Sequence, residues 1–115
     1  MIRWLSFAAL SVFLAGCMRE GGTLGAAVEG AAVPVASIEK VAADVPVVLQ
    51  GTMTKKCPVA GCWFMLQDQT GTIKVDTKNA GFVVVDVPLN TSLTVAGRVI
   101  TNGTERFIDA TGVRY

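Results

Sequence analysis

No histidine occurs in the 115 residues. That absence removes the commonest general base, the commonest metal ligand and any histidine-ligated haem. Charge is scarce and balanced, with ten basic residues against nine acidic ones and a net charge of +1. A near-neutral surface supplies no electrostatic footprint for DNA or RNA, so nucleic acid is not expected as a partner. Cysteine occurs three times, too seldom for a disulfide-dense scaffold. The N-terminal apolar run, Trp4 to Leu14, is too short to span a bilayer.

That run has another use. It follows Met1-Ile2-Arg3, a short segment with one positive charge, and it ends in Leu14-Ala15-Gly16-Cys17. Charge, length and ending together resemble a bacterial lipoprotein signal with its lipobox. The resemblance implies that the Cys17 thiol receives diacylglycerol and that the chain is cut just before it. Met18 rather than Asp follows, which by resemblance to Gram-negative sorting rules implies the outer membrane, facing the periplasm. Removing the first 16 of 115 residues leaves 99, enough for one small domain and not for two. The chain divides accordingly into a signal peptide (1–16), a lipidated flexible tether (17–36) and a folded domain (37–115).

The tether, "MREGGTLGAAVEGAAVP" from Met18 to Pro34, is rich in Gly and Ala and has neither helical nor strand periodicity. Ser37 is a candidate N-cap for a short helix through Asp44, with Ile38, Val41 and Ala42 on one face. After Pro46 the pattern is that of strands: Val47–Thr54, Cys62–Asp68, Thr72–Asp76, Phe82–Val85, Leu93–Ile100 and Arg106–Val113. Gly51 and Gly97 sit where a small sheet needs a bulge or bend. Asn102-Gly103 signals a tight hairpin. Five or six short strands, ordered as a three-strand meander, a connector and a final hairpin, predict an all-β fold, a small OB-like barrel. A β-sandwich is the competing arrangement.

Cys57 and Cys62 bracket the stretch "CPVAGC" between the first two strands. In an oxidising envelope, with Cys17 consumed by lipid, these two thiols can pair without leaving an odd one. A structural disulfide is therefore the favoured reading. A Cu(I) site on the same two sulfurs, with Met53 or Met65 as a soft third ligand, is an alternative, and thiol redox chemistry helped by Lys55 and Lys56 is another. Structural zinc is not supported, because two cysteines without histidine do not make four ligands. Asp68, Asp76, Asp86 and Asp109 are scattered, with no calcium-loop spacing and no carboxylate pair. No catalytic constellation is present, so the expected role is non-enzymatic and no cofactor is required.

From Leu49 onward the sequence resembles a family of small OB-fold bacterial lipoproteins of uncharacterised function. The matching residues are Gly51, Cys57 to Trp63 ("CPVAGCW"), Gly71, Val75, Gly81-Phe82, Gly97 and Ala110 to Val113. The Cys-x-x-x-Gly-Cys-Trp element is the specific one. After Phe82, "VVVDVP" departs from the family's Phe-Val-Pro-like segment. The resemblance implies the fold and an envelope address, and it supplies no reaction. The function expected is that of a lipid-anchored binding module with an envelope protein as partner.

Overall fold

The computed structural model describes residues 22–115. The expected signal peptide (1–16) and Cys17 lie outside them. In chain order the described part comprises β1 (Thr23–Gly25), a 3₁₀ helix (Val35–Lys40), β2 (Pro46–Lys56), β3 (Trp63–Gln67), β4 (Thr72–Asp76), β5 (Ser92–Asn102) and β6 (Glu105–Arg114).

Alternation builds the barrel wall. In β3, Phe64 and Leu66 are buried while Trp63 and Met65 are half-exposed. In β4, Ile73 and Val75 point inward on either side of Lys74. β2 to β4 form an antiparallel meander, β5 pairs with β2 over seven positions, and β6 folds back on β5. A parallel contact between β4 and β6, Val75 opposite Ile108 and Asp76 opposite Asp109, closes the ring. The result is an all-β, closed five-stranded barrel of the OB type, with β1 added on the outer edge of β6. β1 covers the end of β6, residues 112–114, that the short contact with β4 leaves open.

Leu49, Met53, Phe64, Leu66, Val75, Val99 and Ile108 are wholly buried inside the ring. The β5–β6 register shifts between Ala96 and Gly97, as the glycine pattern predicts. A Cβ on Gly97 would come within 2.5 Å of the Asp109 carbonyl oxygen, so only glycine lets the strands approach this closely there. On β2 the register shift falls between Met53 and Lys55 and not at Gly51.

Four local expectations are corrected. Residues 23–25, assigned to a tether, form an added strand, and Gly22 and Tyr115 exchange backbone hydrogen bonds of 2.8 and 2.9 Å. Val28 is buried, and the Val33 N–H donates to the Val48 carbonyl, so packing against the barrel begins well before Ser37. The Gly/Ala stretch lacks periodicity because it borrows its hydrogen bonds from β6 and β2.

The expected helix starts earlier and ends sooner, as a 3₁₀ turn whose N-cap is Pro34. Ser37 lies inside it and donates its hydroxyl to the Pro34 carbonyl. Arg106 Nη1 holds the far end, donating to the carbonyls of Ile38 (2.8 Å) and Val41 (2.6 Å). Phe82–Val85 is not a strand. It lies in an irregular connector whose Val84 and Val87 are buried as plugs of the core. Finally, β3 begins at Trp63, leaving Cys62 in the loop.

Candidate functional site

The β2–β3 connection is a closed loop with the two cysteines at its base. The Cys57 N–H donates to the Trp63 carbonyl (2.9 Å), and the Gly61 N–H donates to the Cys57 carbonyl (3.1 Å). Gly61 has φ of +64°, as a tight return into β3 requires. A Cβ there would meet the Val85 backbone nitrogen at 2.6 Å. The connector grips the loop through two further residues. The Val84 N–H reaches the Gly61 carbonyl at 2.8 Å, and Thr77 donates both its N–H and its hydroxyl to the Cys62 carbonyl at 2.9 Å. The loop tip is open, with Val59 87% exposed.

Cys57 and Cys62 are half-exposed, and no disulfide joins them in this structure. The fold brings them to the two ends of one short loop, closed by the hydrogen bond from the Cys57 N–H to the Trp63 carbonyl. Cys57 is lowered to about 7 by the Ala60 N–H first, then by the Val59 N–H and the Cys62 thiol, against an opposing push from partial burial. Cys62 is raised, first by desolvation and then by its neighbour Cys57. The two sulfurs are therefore unequal, one poised to ionise and the other holding its proton.

Lys55 and Lys56 do not produce this asymmetry. The Lys56 ammonium is taken by the connector, donating to the carbonyls of Val87 (2.5 Å) and Val85 (3.0 Å). Two adjacent thiolates could hold a soft cation such as Cu(I). Met53, considered as a third ligand, is wholly buried in the barrel core. Met65 lies on the outer wall with Trp63. Among the described residues no group of three or more Cys, Asp or Glu side chains converges as a metal site.

A second feature lies on the outer wall of β3, β4 and β6. The Lys74 ammonium sits 5.7 Å from the centroid of the Trp63 ring and 5.9 Å from that of Phe107, so it bridges two aromatic faces. Met65 stands opposite Lys74 across the β3–β4 pair. Strand alternation places Trp63 and Lys74 outside. The parallel β4–β6 contact that brings Phe107 beside them joins residues more than thirty positions apart, so no local signal announces it. Phe64, next to Trp63 in the chain, points the other way and is wholly buried.

The closed five-strand ring, its parallel closure and this exposed meander face define an OB-fold barrel. A family described as "Bacterial OB fold (BOF) protein" matches residues 15–115, and the chain belongs to it. Among solved structures the chain is similar to the hypothetical protein ygiW from E. coli, with 22% identity and a TM-score of 0.60 over 74% of this chain and 89% of that one. This likeness concerns the fold alone. No curated protein matches the sequence.

Proposed function

We propose that this protein is a lipid-anchored envelope lipoprotein whose barrel acts as a non-enzymatic binding module for a protein partner. The observation that carries the reading is the Trp63–Lys74–Phe107 cluster with Met65, on the meander face that OB barrels use for ligands. Trp, Phe and Met are the side chains enriched at protein interfaces, and the balanced charge favours such a partner over a polyanion. The lipobox-like Leu14-Ala15-Gly16-Cys17 supports the anchor, with the module on the outer membrane facing the periplasm.

A photoreactive residue at Met65 should crosslink an envelope protein in intact cells, while one at Arg98, exposed on β5, which pairs with neither β3 nor β4, should not. Equal crosslinking from both positions, or none from Met65, rejects the face. Cys17→Ser should abolish incorporation of a labelled fatty acid and leave the precursor uncut. A lipid-labelled Cys17→Ser protein rejects the anchor.

A further inference from the structure

We propose that Cys57 and Cys62 form an ordered dithiol that reduces an accessible disulfide, Cys57 attacking and Cys62 resolving. This step stands apart from the binding reading, since the Trp63–Lys74–Phe107 face is available in either state of the pair. Three features of the loop support it. The two cysteines stand at the two ends of one closed loop, with the Cys57 N–H donating to the carbonyl of Trp63, the residue after Cys62, so closing the pair needs little rearrangement. The backbone of Cys62 is fixed by two hydrogen bonds from Thr77, which holds the resolving group in place while Cys57 reacts. Pro58, Val59 and Ala60 are exposed, so an incoming disulfide can approach from the loop tip.

The balance is as follows. The Cys57 thiolate attacks one sulfur of R–S–S–R, a new S–S bond forms as the old one breaks, and one R–S⁻ departs. Cys62 then gives up its proton, which that R–S⁻ takes to become R–SH. The Cys62 thiolate attacks the Cys57 sulfur, forming the 57–62 disulfide and expelling the second R–S⁻. The two cysteines together lose two electrons, and the incoming disulfide gains them.

The unequal ionisation of the pair gives the order, because the thiolate is the nucleophile and a thiol near ambient pH attacks fastest.

The test uses the full chain in detergent, reduced and freed of reductant, with Cys17→Ser in every variant so that only this pair is counted. That background also makes the result independent of lipidation. The probe is 5,5′-dithiobis(2-nitrobenzoate) at pH 7. The intact pair should release both thionitrobenzoate equivalents and retain none. Cys62→Ser, and Cys62→Ala as a second variant, should keep one adduct, with a rate that climbs through a midpoint near pH 7. Cys57→Ser should react roughly tenfold more slowly or worse. With glutathione disulfide as a second probe, only the Cys62 variants should accumulate the mixed disulfide. An intact pair that retains two adducts overturns the proposal. So does a Cys57→Ser protein that reacts as fast as Cys62→Ser.

Discussion

Two turns of the barrel meander use one device with different atoms. At the β3–β4 turn the Asp68 carboxylate accepts hydrogen bonds from the N–H groups of Val35 (2.9 Å), Thr70 (2.7 Å) and Gly71 (3.1 Å) and from the Thr70 hydroxyl (2.6 Å). At the β2–β3 turn the Cys57 sulfur is met by the N–H groups of Ala60 and Val59 and by the Cys62 thiol. Each turn wraps donors around an anion at its first residue. Partial burial pushes Asp68 up, but the Thr70 hydroxyl and the three N–H groups outweigh it and hold the carboxyl below the usual range. Asp68 is thus charged at any physiological pH and serves as a fixed clasp between the 3₁₀ helix and the meander. Cys57, at about 7, changes state within the physiological range and can be oxidised. One turn is a fastener because its carboxylate also takes a donor from the distant Val35, and the other is a reactive site because its group is a thiol served by its own loop.

The largest way to break this comparison is to deform the cysteine turn itself. Gly61→Ala imposes a left-handed backbone on an L side chain and drives its Cβ into Val85, so it should cost about 3 kcal/mol of stability in urea unfolding. Gly103→Ala is the control. Gly103 also has positive φ, at +68°, but its Cβ would meet nothing within 4 Å, and the loss should be about 1 kcal/mol.

Removing the other anion comes next. Asp68→Ala leaves the Val35 and Gly71 N–H groups without their acceptor and should cost about 2 kcal/mol, with Asp68→Asn costing less. The charge also gives a pH signature. Because the folded pKa is depressed, the stabilisation is complete above the unfolded value of about 3.9 and is lost as pH falls through the lower, folded value. Asp68→Asn should flatten that acid limb, and an unchanged acid limb would show that the clasp contributes nothing.

Oxidation sharpens the contrast from the cysteine side. The 57–62 disulfide closes a short loop, so oxidised protein should be more stable than Cys57→Ser with Cys62→Ser by up to about 2 kcal/mol. The smallest effect belongs to the reduced protein. The folded Cys57 pKa is about 7, below the ordinary thiol value of 9.0, so its contribution is present above the ordinary value and is lost as pH falls through 7. A slight gain in stability between pH 7 and 9 should therefore vanish in Cys57→Ser, as read by urea midpoints across that range.

Much of the barrel was legible in the chain because burial on one face imposes alternation, as in Trp63 to Gln67 and Thr72 to Asp76. The connector misled for the same reason. Phe82-Val83-Val84-Val85 is composed like a strand, yet Val84 and Val87 turn inward from an irregular segment and their neighbours stay exposed. β-branched composition records burial and cannot by itself distinguish a strand from a plug. The Gly/Ala segment misled in the opposite sense, since β1 takes its order from β6 and carries no pattern of its own. Asp68 looked like one of four scattered carboxylates, and its role depends on a donor thirty-three residues away.

By itself, the sequence determined the class of the fold, the lipobox-like start and the presence of two cysteines at one strand connection. These rest on local chemistry: alternation over a few residues, a short apolar run, and spacing within one loop. Only the tertiary structure decided which sulfur is the acidic one, because that follows from backbone N–H groups curled over Cys57 and a loop clamped by Thr77 and Val84. It also decided that Lys74 meets two aromatic rings and that Lys56 binds carbonyls rather than a sulfur. Those contacts join residues far apart in the chain. Barrel closure sets their geometry, and local pattern carries no record of it.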